Sequence, residues 1–178
     1  MVTAVLATDG TAVEHAWAVS CAVSDPELPV VTIGDLGIVR AVDIDAVGCV
    51  RVAVTPTYSG CPATAVIRQE VVTALHDAGF DQVEVRTVLA PAWTTDWITE
   101  AGRHKLSENG IVPPSGGSAI VPPSGGSAQR RVDLALSVRC PRCGSPDTRL
   151  VSRFGSTECQ AMYRCASCLE PFDAIKPY

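Results

Sequence analysis

Basic side chains are missing from the start of the chain: no Lys or Arg precedes Arg40, so nothing there resembles the charged leader of an export signal. Long apolar runs are missing too, since none approaches the roughly 18 residues of a membrane-spanning helix. The chain is therefore expected to be cytoplasmic, with no membrane partner. Charge is sparse at 19% of residues while hydrophobic residues reach 47%, a balance that excludes compositional disorder and can fill a core. A cytosolic chain also lacks the oxidising surroundings that disulfides need, so its eight cysteines point to metal or redox work.

What charge there is divides unevenly. Residues 1–110 hold 6 Lys and Arg against 14 Asp and Glu, a balance of −8, and residues 129–178 hold 8 against 5, a balance of +3. An acidic main segment disfavours a phosphate-binding surface, which leaves a zinc-ribbon nucleic-acid binder as a weak reading carried by the basic tail alone.

At 178 residues the chain can hold one ordinary domain and a small module. The boundary between them falls at IVPPSGGSA-IVPPSGGSA, residues 111–128, a duplicated nonapeptide without a single charge. Pro-Pro favours extended backbone and Ser-Gly-Gly is flexible, so this stretch reads as a linker that packs on neither side. The expected division is a domain at 1–110, a linker at 111–130 and a second domain at 131–178.

In the first domain, residues 15–23 suit a short helix, and SDPELP then forces an extended or turning loop. GIVRAVDI (37–44) and CVRVAVT (49–55) alternate around DAVG and read as a hairpin. Pro62 is expected to open an amphipathic helix that Gly79 stops, with apolar residues at Val66, Ile67, Ala74 and Leu75. QVEVRTVL (82–89) reads as a third strand and residues 95–107 as a last helix. The expected class is α+β: a small mixed sheet with helices packed on it, followed by a C-terminal four-cysteine zinc ribbon.

That ribbon rests on CPRC and CASC. Two C-x₂-C knuckles, at Cys140 and Cys143 and at Cys165 and Cys168, lie 21 residues apart, close to the spacing of a four-thiolate tetrahedral site. One zinc ion per chain is expected; iron or an iron-sulfur cluster suits four thiolates as well. TRLVSRF, ECQAMYR and EPFDAIK would supply the strands. Cys159, between the knuckles, is open to three readings: a buried small hydrophobe, an alternative ligand or an additional free thiol.

A second constellation surrounds Cys61 in PTYSGCPA. A thiol just before a helix faces unpaired N–H groups and the positive end of the macrodipole, which can lower its pKa and favour the thiolate, making it a candidate reactive or metal-binding residue; an inert, buried cap fits the residues equally well. Asp25, Glu27 and Asp35 flank the same region, as ligands or as solvated loop caps. Trp93 and Trp97 read as core or lid aromatics, and Cys21 and Cys49 as core. His15, His76 and His104 fall at helical positions, so no Cys-His hydrolase is supported and no catalytic residue is assigned.

DPELPVVTIGDLGIV, PTYSGCPA and LAPAWTTDWIT together resemble the domain of the SufT and cytosolic iron-sulfur targeting factors, whose motifs run DPE, DLG, GCP and PPW. With CPRCGS, FGSTECQAMYRC and CLEPFDAIK behind them, the chain resembles the PaaD family of phenylacetyl-CoA epoxidase systems. The resemblance covers nearly everything from Ser24 onward. It implies an accessory or maturation factor of the ring-1,2-epoxidase, a multicomponent monooxygenase of phenylacetate catabolism, without catalytic activity of its own. Implied partners are the [2Fe-2S] reductase or the di-iron oxygenase, and Cys61 with Asp25, Glu27 and Asp35 becomes the place where transient iron or a cluster is met. The alternative reading is a stoichiometric, non-catalytic component of the oxygenase.

Overall fold

The computed structural model describes residues 10–114 and 138–177. They fall into two compact units, Met1–Asn109 with Pro177–Tyr178, and Gly110–Lys176.

The first unit runs α1 (Gly10–Ala22), β1 (Val39–Ile44), β2 (Val50–Val54), α2 (Thr64–Asp77), β3 (Val83–Thr87) and α3 (Glu100–Glu108), the element order expected. β1 and β2 pair antiparallel around the Asp45–Gly48 turn, where Asp45 Oδ1 accepts from the Val47 and Cys49 N–H groups and Gly48 takes a positive φ of 85°. β3 joins β2 in parallel, a pairing that needs a crossover, and α2 supplies it. β2 is therefore the central strand and the most apolar, with Val50, Val52, Ala53 and Val54 all buried. α2 covers the sheet with Ile67, Val71 and Leu75, four residues apart and so on one stripe. α1 packs against both β1 and α2, and Ala16, fully buried, lets it approach. This is the α+β arrangement the periodicities predict.

Three boundaries differ from expectation. α1 starts earlier, at Gly10. α2 starts at Thr64 rather than Pro62, because the Thr64 N–H and hydroxyl both donate to the Cys61 carbonyl and hold residues 61–64 in a separate turn. The last helix is broken: Thr95–Trp97 is a 3-10 turn capped by Thr94, Ile98 is extended, and α3 begins anew where the Thr99 side chain accepts from the Gly102 N–H.

The loop between α1 and β1 is held by its acids and glycines. Asp25 Oδ1 accepts from the Glu27 and Leu28 N–H groups at 2.9 and 2.8 Å. Asp35 closes a reciprocal turn with Thr32: its Oδ2 accepts from the Thr32 N–H, its own N–H donates to Thr32 Oγ1, and Lys105 from α3 reaches the same Oδ2 at 2.7 Å. Desolvation opposes charge on Asp35, but Lys105 and Thr32 outweigh it and hold the carboxyl below its usual range. This group thus stabilises the fold above the unfolded carboxyl pKa, and the contribution fades as pH falls through the lower folded value. Gly37 sits at φ +67° with the Trp97 backbone against it, and a Cβ on Gly102 would meet the Asp35 carbonyl at 2.7 Å. Buried Trp93 donates from Nε1 to the Leu36 carbonyl at 2.8 Å.

The second unit is an antiparallel meander, β4 (Thr148–Ser152), β5 (Gln160–Cys165) and β6 (Pro171–Ile175), on the three segments expected. Its buried cluster is small: Cys140, Cys165 and Phe172, with Val112, Val138 and Tyr163 packed around them. The linker expectation is corrected here. Val112 bridges Ala174 in parallel, donating to the Asp173 carbonyl and accepting from the Ile175 N–H, both at 2.9 Å. Residues 111–114 are thus fastened to the ribbon, because Val112 is apolar and β6 offers an open edge. The rest of the duplicated nonapeptide, and residues 131–137 of the expected second domain, lie outside the described residues.

Gly37→Ala tests the loop. The added Cβ would stand 2.4 Å from the Trp97 carbonyl oxygen, and the positive φ adds strain, so the first unit should lose about 2–4 kcal/mol. All three tryptophans, Trp17, Trp93 and Trp97, belong to this unit, so urea unfolding followed by tryptophan fluorescence reads it selectively. A loss below about 1 kcal/mol would contradict the packing described.

Candidate functional site

The four knuckle cysteines converge. Cys140 and Cys168 lie with sulfurs 3.6 Å apart, as do Cys143 and Cys165, and all four sulfurs lie within 4.8 Å of one another. A tetrahedral zinc with ~2.3 Å bonds places its sulfurs about 3.8 Å apart, so the donor set and its spacing fit that ion. The two knuckles are built alike. Cys140 donates its N–H to the Ser145 carbonyl and Cys165 to the Glu170 carbonyl, five residues on in each case. The residue after the second cysteine takes positive φ in both, Gly144 at 71° and Leu169 at 65°. The Cys168 N–H points at Cys165 Sγ, 3.4 Å away.

Four thiolates this close need a cation to share their charge. Hydrogen bonding from the Cys168 N–H, against desolvation, pulls the Cys165 thiol down to about 6. Cys168 goes the other way: although the Glu170 N–H favours its thiolate, desolvation and the neighbouring sulfurs push it up to about 12. Metal binding would release that proton. Cys159 stands outside the group; it is buried, with Thr157 Oγ1 3.0 Å from its sulfur, which matches the reading as a small packed residue.

Cys61 is half-buried and sits in the turn before α2, where the Cys61 N–H donates to the Tyr58 carbonyl. Its pKa shifts the other way from the pull of a helix N-terminus. Desolvation raises the thiol above its ordinary value, the Ala63 N–H and Thr64 pull it back only in part, and Glu27 and Asp25 raise it further. The dipole at the start of α2 is outweighed by burial and by two acids whose approach depends on the loop's fold. Those acids are two of the three expected beside Cys61; Asp25 is itself buried, which raises its carboxyl pKa against the pull of the Leu28 and Glu27 N–H groups. Asp35 is placed elsewhere, on Thr32 and Lys105. Cys61, Asp25 and Glu27 do not form a ready-made metal site, since the ribbon cysteines are the one such group found among the described residues. Cys21 and Cys49, expected in the core, are only partly buried.

The comparisons with known proteins bear on both units. Over 164 residues the chain is 48% identical to an Escherichia coli (strain K12) protein named as the D component of 1,2-phenylacetyl-CoA epoxidase, with 92% of each chain covered. The chain belongs to the PaaD family of phenylacetyl-CoA epoxidase components. The family model for the PaaD zinc beta ribbon domain matches residues 124–176 and that for iron-sulfur cluster assembly proteins matches residues 21–88. The C-terminal unit of this PaaD-family chain is thus a zinc ribbon, and its four-cysteine cluster a metal-binding one. The N-terminal region is similar to the Fe-S protein maturation auxiliary factor YitW of Bacillus subtilis strain 168, at 43% identity over 47% of this chain and 82% of that protein. It is also similar to the maturation factor SufT of Staphylococcus aureus strain USA300, at 37% over 47% and 96%. Among the described residues no helix is long and apolar enough to cross a membrane.

Sequence reasoning missed Lys105, which anchors Asp35, and the cation-π contact of Arg40 over Trp97, 3.4 Å to the ring centre. Both join residues far apart in the chain, and no local pattern signals them.

Two measurements follow. Cys143→Ser, at an exposed position of the cluster, should lower the metal bound per chain and reduce amide-exchange protection in β4–β6 at least tenfold, leaving the tryptophan-monitored transition in place; unchanged β4–β6 protection would contradict a structural metal. Alkylation of Cys61 by iodoacetamide, resolved by mass spectrometry, should be slow at neutral pH and climb past pH 9. Glu27→Gln should speed the neutral-pH rate roughly two- to threefold, and a rate already at its plateau by pH 7 would contradict the raised pKa.

Proposed function

We propose that the chain is an accessory maturation factor of a phenylacetyl-CoA epoxidase, the multicomponent ring-1,2-epoxidising monooxygenase of phenylacetate catabolism, with no catalysis of its own. The observation that carries this reading is the end-to-end similarity to the epoxidase D component in a chain whose N-terminal region matches iron-sulfur assembly proteins. In this reading Cys140, Cys143, Cys165 and Cys168 hold one zinc ion, which cross-links a module with too little core to fold unaided. Iron or a cluster is cargo, met at Cys61.

The geometry at Cys61 supports transfer over storage. One thiol that stays protonated at neutral pH, beside two acids that do not converge on a common point with it, binds a cation weakly, and an incoming client would have to complete the ligand set. The groups acting on the thiol are the Ala63 N–H, Glu27, Thr64 and Asp25, with no histidine base among them, which favours handling of cargo over nucleophilic chemistry. The clients would be the [2Fe-2S] reductase or the di-iron oxygenase. A stoichiometric role in the oxygenase complex is the second reading, favoured by the same similarity to an epoxidase component.

Reductase purified from cells with the wild-type chain, the Cys61→Ala variant or neither gives the test. Cluster occupancy should fall several-fold without the chain and with Cys61→Ala. Equal occupancy in all three, together with one-to-one co-elution of the chain with the oxygenase on a sizing column, would overturn the maturation reading and leave the stoichiometric one.

A further inference from the structure

Within the first unit a groove of about 460 Å³ opens between the loop after α1 and the outer side of α2. Its walls are apolar and stiff: Val23, Pro26 and Pro29 on the loop side, Val66 and Ala74 on the helix. Three acidic residues line it, Asp25 from the loop and Glu70 and Asp77 from α2. Glu70 and Asp77 are exposed and form no ion pair with a described residue. Asp25 is only 6% exposed; its Oδ1 is taken up by the Glu27 and Leu28 N–H groups, and no described residue donates to its Oδ2. Among the described residues the groove therefore holds a desolvated carboxylate with spare acceptor capacity at one end, two exposed acids along the helix, and no cation.

We propose that this groove docks a partner protein through an exposed arginine or lysine flanked by apolar residues. The chemistry is that of a long cationic side chain, whose methylene stem lies along Val23, Pro26, Val66 and Ala74 while its head pairs with Asp25 and Glu70 or Asp77. The balance of −8 over residues 1–110 would steer such a segment inward. Asp25 also acts electrostatically on Cys61, so a cation paired with Asp25 would change the charge that the thiol feels. The inference rests on the maturation reading for the partner's role: the client that receives the cargo at Cys61 is the protein that docks.

The test is a titration of the full zinc-loaded chain, ¹⁵N-labelled, with the peptide acetyl-Leu-Arg-Leu-amide and with its glutamine counterpart acetyl-Leu-Gln-Leu-amide. The arginine peptide should shift amides in residues 23–29 and 66–77 with a saturating curve, and the glutamine peptide should not. Glu70→Gln with Asp77→Asn should weaken binding about tenfold, while Asp81→Asn, an exposed acid that does not line the groove, should leave it unchanged. Equal binding of both peptides, or shifts centred elsewhere, would overturn the proposal. So would movement of the groove amides in an Arg130→Gln, Arg131→Gln variant without peptide, since the chain's own basic segment would then be the occupant. The titration reads docking alone and reductase occupancy reads maturation, so either can fail while the other stands.

Discussion

One carboxylate organises the first unit. Asp35 accepts from the Thr32 backbone and from Lys105 seventy residues away, and around it the backbone of α3 comes so close that Gly102 has no room for a side chain. Remove the charge and three things lose a common anchor: the turn at residues 32–35, the seat of α3, and the course of the loop that carries Asp25 and Glu27 toward Cys61. A buried or half-buried carboxylate is costly unless its acceptor sites are filled, and here they are filled by groups from two distant segments. The residue that resembles a ligand in a one-dimensional reading is thus a structural anchor.

The ribbon, with little core, is held in another way. The cluster of Cys140, Cys165 and Phe172 has a thin surround and is small for a module of this size, and two matching knuckles reinforce it by bringing four sulfurs together. The likeness of the knuckles extends to their strained positions. Gly144 takes its positive φ without penalty, whereas Leu169 does so with a side chain, a cost of roughly 1–2 kcal/mol that metal ligation has to offset.

Much of this was legible in the chain itself. Alternation in residues 37–55 and the stripe at Ile67 and Leu75 were enough for the sheet and its covering helix, and the C-x₂-C spacing sufficed for the thiolate cluster, because each is a local pattern with a fixed period. The pKa of Cys61 was not legible. A helix N-terminus is visible in sequence, but the burial and the two acids that outweigh it arise only once the loop has folded back. Asp35 was misplaced for the same reason, since its partner Lys105 lies on an element whose docking no motif announces. The break at Ile98 was hidden because Thr94 and Thr99 each cap a separate turn within what reads as one helical stretch.

The bridge between Val112 and β6 changes what the duplicated nonapeptide separates. α3 ends at Glu108 and pairing with the ribbon begins at Val112, so the connection between the two units is only a few residues long. In sequence, most of the repeat follows Val112 and precedes the knuckle at Cys140. A stretch closed at both ends tolerates duplication cheaply, since each doubling of its length adds only about 0.6 kcal/mol of closure entropy. The segment from Glu108 to Val112, which joins α3 to the ribbon's edge, is the same length whether the nonapeptide occurs once or twice.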